Sequence, residues 1–253
     1  LHQSSSKGKM LVISGVHPRE LAPPELVMRF AESLVDGYNV DSDITWLLQS
    51  TEIHFIFHVN PDGRYVTENY QDTFWRKNLN MDGKCSSSDD GGVDINRNFD
   101  YQWGDQDGAS NEPCDSIYHG ESPLSEPETQ AVVKYAREIF PPEQRERSLP
   151  LGEDIVGVFV DVHAPGGFVF YPWGHKDAKA PDDPALQALG RKVNFFNGKC
   201  YGQEASLTFN MLLPETRQIT CTRPWAWHLL DWNWEKSSTK IVGTLKTLFC
   251  KTI

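Results

Sequence analysis

The chain has 253 residues, of which 39% are hydrophobic and 23% charged, enough to bury one sizeable core, and α/β domains of this length are commonly single. With 24 Lys+Arg against 35 Asp+Glu, the net charge of -11 repels phosphate backbones and anionic lipid, so neither nucleic acid nor a membrane surface is an expected partner. No apolar run reaches the length of a membrane span, and the opening LHQSSSKGKM has neither an initiator Met nor a signal-like apolar stretch, so the chain reads as a fragment or a processed product.

The apolar, β-branched run KMLVISGV, ending in Gly, predicts a buried strand. LAPPELVMRFAESLVDG follows with helical spacing, its prolines confined to the first turn and Gly37 at its end. TEIHFIFHVNPDG predicts a second strand closed by a turn. SEPETQAVVKYAREIF predicts a helix with Ser125 as N-cap and Glu128 completing a capping box. FPPEQRERSLPLGED reads as a surface loop rather than a linker, because strand pattern resumes at once. EDIVGVFVDVHAPGGFVFYPWG holds two strands around Pro165-Gly166-Gly167, and DDPALQALGRKVNFF is an amphipathic helix. Strands alternating with helices imply an α/β fold with helices on both faces of the sheet and ligands bound beyond the carboxyl ends of the strands.

Five cysteines, Cys85, Cys114, Cys200, Cys221 and Cys250, show no Cys-x-x-Cys spacing, and an odd count leaves at least one unpaired. Cys85 and Cys114 flank a Gly/Ser/Asp-rich loop of the kind a disulfide pins in secreted proteins; two unrelated thiols are the alternative. His17 and Glu20 stand three apart just past a strand end, a spacing that lets an imidazole and a carboxylate converge on one cation. Such a pair also arises by chance as a solvated loop contact. His163 closes an apolar strand at the sheet edge, where it is either a third ligand or a core histidine satisfied by a backbone carbonyl.

Further motifs bring these residues together: Asn60-Pro61-Asp62-Gly63, Trp75-Arg76-Lys77, Asp94-Ile95-Asn96-Arg97-Asn98-Phe99, HGESPLSEPET, and Asp161-Val162-His163 followed by Tyr171-Pro172-Trp173-Gly174. In order and spacing the chain resembles the zinc carboxypeptidases of the carboxypeptidase A type, over about residues 9 to 198. The resemblance implies a mixed, mostly parallel twisted sheet with helices on both faces, and one Zn2+ per chain held by His17, Glu20 and His163. It implies Asp94 on the other ring nitrogen of His17, Arg76 as oxyanion stabiliser, Asn96 and Arg97 gripping the substrate's terminal carboxylate, and Arg19 as a further substrate contact. It also implies a Cys85–Cys114 bridge, a secreted or extracytoplasmic monomer, and peptide or protein C-termini as substrate.

Two parts of the family pattern are missing. Only sixteen residues precede His17, where the family has further strands and a helix, so the amino end is expected to be incomplete. After Gly198 neither the family's loop tyrosine nor its general-base glutamate, within a phrase such as Leu-Glu-Leu-Gly, is present. Read one base out of frame, however, the pairs Asp231/Trp232, Trp232/Asn233, Asn233/Trp234 and Trp234/Glu235 encode Leu-Glu-Leu-Gly whatever codons are used. This suggests a catalytic domain over 1–198 and a segment over 199–253 that is frameshifted relative to the family, with its Trp and Cys as by-products. The alternative is a true divergent tail, its tryptophans packed in the fold or binding ligand and Glu235 replacing the base. The expected activity is hydrolysis of the C-terminal peptide bond. The rivals are an impaired zinc- and peptide-binding homologue and a zinc deacylase of the aspartoacylase sort, against which the Asn96-Arg97 motif argues.

Overall fold

The computed structural model describes residues 8–69, 74–81, 85, 91–104, 108–140, 157–165, 169–176, 178–196 and 217–222. β1 (Gly8–Ser14) is apolar on both faces because it lies inside the sheet, hydrogen-bonded in parallel to β2 (Thr51–Ile56) on one side and β3 (Gly157–His163) on the other. With β4 (Val169–Phe170) and β5 (Arg217–Thr222), the described residues form a five-stranded sheet of order β2-β1-β3-β5-β4, in which only the β4–β5 pairing is antiparallel. The sheet is therefore mixed and mostly parallel. β5 lies within residues 199–253, where the sequence reading predicts no strand.

Side-chain alternation divides β1 between two cores. Met10 and Val12 pack with Val160, Val162 and Val27 of α1 (Ala22–Gly37). Leu11 and Ile13 pack on the opposite face with Phe159 and with Val132, Val133, Ala136 and Ile139 of α4 (Pro127–Ile139). Helices thus cover both faces. α5 (Asp183–Phe196) lies by β4, its Gly190 so placed that an added Cβ would stand 3.8 Å from Val169 and from Tyr171.

Three local features depart from the sequence reading. α2 (Ser42–Ser50) was not anticipated; Asp41 caps it through its side chain, accepting from Asp43 and Ile44 N–H, and Ile44 and Leu47 pack it against Phe30 and Leu34 of α1. The Asn-Pro-Asp-Gly stretch opens α3 (Pro61–Asn69) instead of closing a turn, with Asn60 Oδ1 accepting from Gly63 N–H at 2.9 Å and Pro61 in the first turn. Ser125 is not the N-cap of α4. The cap is Glu126, whose side chain makes no capping bond, and Asn98 does the work from outside by accepting from Glu126 N–H (3.1 Å) and Thr129 Oγ1 (2.7 Å). A capping box is invisible to a competitor that arrives from 28 residues away.

The loop expected at residues 140–154 lies, apart from Phe140, outside the described residues, as do Cys200, Cys250, Trp232, Trp234 and Glu235. A disulfide joins Cys85 to Cys114, with Cα atoms 5.0 Å apart. No helix among the described residues is long and apolar enough to cross a membrane.

Candidate zinc centre

The chain leaves β1 toward β2 on one side and later enters β3 on the other, so the carboxyl ends of β1 and β3 border the crevice where a sheet of this kind receives ligands. Ser14 pairs with Val162 at that end. Gly15, at φ +66, then turns the backbone in a conformation that suits glycine, with the His58 backbone close by, and His17 follows on the turn. His163 is the last residue of β3. Glu20 N–H donates to His17 O at 3.1 Å, a tight turn that brings the glutamate back under the histidine.

His17, Glu20 and His163 are all buried, and each offers a ligand atom within 4.8 Å of the others. The two carboxylate oxygens of Glu20 divide between the imidazoles: Oε1 lies 2.7 Å from His17 Nδ1, and Oε2 lies 3.0 Å from His163 Nδ1 and accepts from Ala164 N–H at 2.9 Å. Burial works against the charge of Glu20, but His17 and His163 outweigh it and hold the carboxyl far below the usual range. The outer nitrogens are fixed as well. His17 Nε2 stands 3.1 Å from Asp94 Oδ1 and His163 Nε2 stands 2.8 Å from Asp161 Oδ2. Both rings therefore turn Nδ1 inward, toward one point shared with a carboxylate. Two imidazoles, one carboxylate and an open fourth position suit zinc, and among the described residues this is the one such triad.

Asp94 organises the wall of the site. Fully buried, it caps the short 3-10 turn Ile95–Arg97 by accepting from Asn96 N–H at 3.0 Å, while Oδ2 accepts from Arg76 at 2.8 and 3.1 Å. Its burial opposes ionisation, yet Arg76 and then His17 keep its pKa strongly depressed. Arg76 Nε also donates to Ser116 O at 3.1 Å, so the guanidinium is held in place beside the centre. Asn96 is 2% exposed, and among the described residues neither its Oδ1 nor its Nδ2 has a hydrogen-bond partner. Arg97 Nε donates to Gly108 O and its NH1 to Asn96 O at 3.2 Å; burial pulls its pKa down, Asp94 opposes this and Arg76 adds to it. Arg19 is exposed on the rim, its backbone N–H bound to Trp75 O at 3.1 Å.

The structure thus brings His17, Glu20, His163, Asp94, Arg76, Asn96 and Arg97 to one place from four separate stretches of chain. Glu235 lies outside the described residues. Asp161 has no assigned role among the sequence motifs, although strand alternation, which places residues 161 and 163 on one face, is the signal that marks it.

Comparison with known proteins agrees with this geometry. The family model described as zinc carboxypeptidase matches residues 2–248, further in both directions than the individual motifs. Carboxypeptidase A2 of Mus musculus is 33% identical over 192 residues, 74% of this chain and 42% of that protein. Inactive metallocarboxypeptidase ECM14 of Arthroderma otae is 33% identical over 190 residues, 74% of this chain and 30% of that protein. The chain therefore spans less than half the length of these relatives. The crystal structure of thrombin activatable fibrinolysis inhibitor superposes with a TM-score of 0.75 at 21% identity, covering 100% of this chain and 64% of the other. Carboxypeptidase A from Helicoverpa armigera gives 0.71 at 21% identity, covering 98% and 60%. At such identity the two superpositions bear on the fold alone. Motifs, zinc-ligand geometry and family match coincide: the chain belongs to the zinc carboxypeptidases of the carboxypeptidase A type.

Proposed function

We propose that this chain is the zinc-dependent catalytic unit of a metallocarboxypeptidase that hydrolyses the C-terminal peptide bond of peptides and proteins. The observation that carries the reading is the buried His17–Glu20–His163 triad beside an Asn96 side chain whose polar atoms have no partner among the described residues. A buried amide without partners costs free energy unless a ligand supplies them. A terminal carboxylate would accept from Asn96 Nδ2, with Arg97 as its charged neighbour and Arg19 as a contact on the rim. Zinc, when bound, polarises the scissile carbonyl and lowers the pKa of bound water. Arg76, held by Asp94 and Ser116, would place fixed positive charge where the carbonyl oxygen turns negative, without reorganising during the reaction. Asp94 would keep His17 in the tautomer that turns Nδ1 inward.

The test is release of single amino acids from peptides by the zinc-loaded chain. Peptides with a free C-terminus should be trimmed and their C-terminally amidated counterparts spared, because the amide removes the charge that Asn96 and Arg97 would bind. Equal cleavage of both would refute the carboxylate grip. The cysteine bridge supports an oxidising, extracytoplasmic location.

A second reading is a zinc- and peptide-binding homologue with little turnover. It is favoured by relatives named inactive metallocarboxypeptidases and by the lack of the Leu-Glu-Leu-Gly phrase in frame. Glu235 would then replace the base in the tail as written, whereas a frame change near residues 198 to 200 would restore a glutamate at the Trp232/Asn233 junction and divide the chain into 1–198 and 199–253. As the chain stands, β5 within the later segment pairs with β3 and the family match runs through it. DNA sequence across codons 195 to 236 decides between the two frames, and one equivalent of bound zinc without amino-acid release identifies the binding homologue.

A further inference from the structure

We propose that Asp161 is a positioning residue for His163, setting the ring tautomer and raising its affinity for zinc, so that each zinc-binding imidazole has its own buried carboxylate. The inference deepens the zinc reading above and rests on it. β3 is apolar at nearly every other position, GVFVDVH, and lies between β1 and β5, with Asp161 paired to Ile13 on one side and Thr220 on the other. Asp161 is 1% exposed. A carboxylate placed there is costly unless it is paired and hydrogen-bonded, and a Val or Ile would suit the strand better. The compensation stands two residues on, where the period of the strand returns the side chain to the same face. His163 Nε2 lies 2.8 Å from Asp161 Oδ2, closer than the 3.1 Å between His17 Nε2 and Asp94 Oδ1.

The two pairs differ in what surrounds them. Asp94 divides its charge between His17 and Arg76, to which its Oδ2 is bound at 2.8 Å. Asp161 reaches its imidazole from within the same strand, two residues away. Its effect is local: a proton on Nε2 shared with Asp161 leaves Nδ1, which stands 3.0 Å from Glu20 Oε2, to supply its lone pair to a metal bound beside Glu20. Outer carboxylates of this kind raise the basicity of a ligating imidazole, and their loss costs about 10- to 100-fold in metal affinity.

The experiment uses the full chain and measures the zinc dissociation constant by chelator competition, alongside thermal unfolding of the metal-free protein. Asp161→Asn keeps an acceptor and loses the charge, and is expected to weaken zinc binding by about 10-fold; Asp161→Val loses both and is expected to approach 100-fold. Val158→Ala, on the same strand but remote from the histidine, should lower the melting temperature with zinc affinity unchanged. Should Asp161→Val fail to fold, Asp161→Asn decides alone. Zinc affinities within twofold of the parent in a zinc-binding chain overturn this assignment only, as does a loss that Val158→Ala reproduces at equal destabilisation. A parent chain that takes up no zinc overturns the assignment and the zinc reading together.

Discussion

Asp94→Asn isolates the electrostatics of the site wall from its shape. The native carboxylate accepts on both oxygens: Oδ1 faces His17 Nε2 and Asn96 N–H, while Oδ2 faces the Arg76 guanidinium. An asparagine amide can match one side only. If its oxygen turns to His17 and Asn96, its NH2 points at the guanidinium of Arg76; if it flips, the NH2 opposes the N–H groups of His17 and Asn96. Either orientation sets donor against donor and leaves Arg76 without its nearest counter-charge. Breaking a buried ion pair at one partner costs about 3–5 kcal/mol. The Arg76 side chain is 14% exposed, so water offsets part of the loss and the lower end, about 3 kcal/mol, is expected. Urea unfolding of the metal-free protein measures this. In an Arg76→Met background the same change should cost at least about 1.5 kcal/mol less, because the stranded charge is already gone. A cost below about 1 kcal/mol, or an equal cost in both backgrounds, would refute the assignment of Asp94 as the charge that ties Arg76 to the zinc ligand His17.

Asn98→Ala removes a buried amide that donates to His119 O and Ser125 Oγ and accepts from Glu126 N–H and Thr129 Oγ1, so it should cost about 3 kcal/mol, read as a melting-temperature drop of roughly 6–12 °C. Gly92 sits at φ +88 with Asn78 O where a Cβ would be, so Gly92→Ala should destabilise by more than about 2 kcal/mol in the same assay; a neutral result would refute the close approach. In the metal-free protein, burial opposes the charge on His163 but Asp161 and Glu20 prevail and push its pKa up to about 10. Because that lies above the unfolded value of about 6.5, its contribution to stability is complete below about pH 6.5 and is lost as pH rises through 10. Glu20 and Asp94, both depressed, contribute in the opposite sense, losing their share as pH falls below about 4, so urea midpoints should decline on both flanks. Zinc affinity should climb with pH over the same alkaline range, since the ligating imidazole must be neutral. Removing zinc from protein held at 1,000-fold over its dissociation constant should cost about 4 kcal/mol of stability, measured by unfolding with and without chelator.

Most of the architecture and the identity of the zinc ligands were legible in the sequence. β1 and β3 announce themselves as unbroken apolar runs because both are interior strands of a parallel sheet, and the ligands stand at their ends because that is where the chain emerges. Local chemistry also fixes His17 and Glu20 on one turn and places Asp161 and His163 on one face of a strand. The tertiary structure decided what depends on partners distant in the chain. Asn98 displaced Ser125 from the capping of α4, a competition between side chains that no window of four residues contains. The Asn-Pro-Asp-Gly stretch became the start of α3 because Asn60 could cap it while bound to Lys77 O at 3.1 Å. The resemblance already put Asp94 behind His17, 77 residues away; the fold adds that the same carboxylate also holds Arg76. Sequence specifies which side chains can hold a metal or a charge; packing alone brings a carboxylate from a remote turn to the back of an imidazole, where burial makes the contact strong.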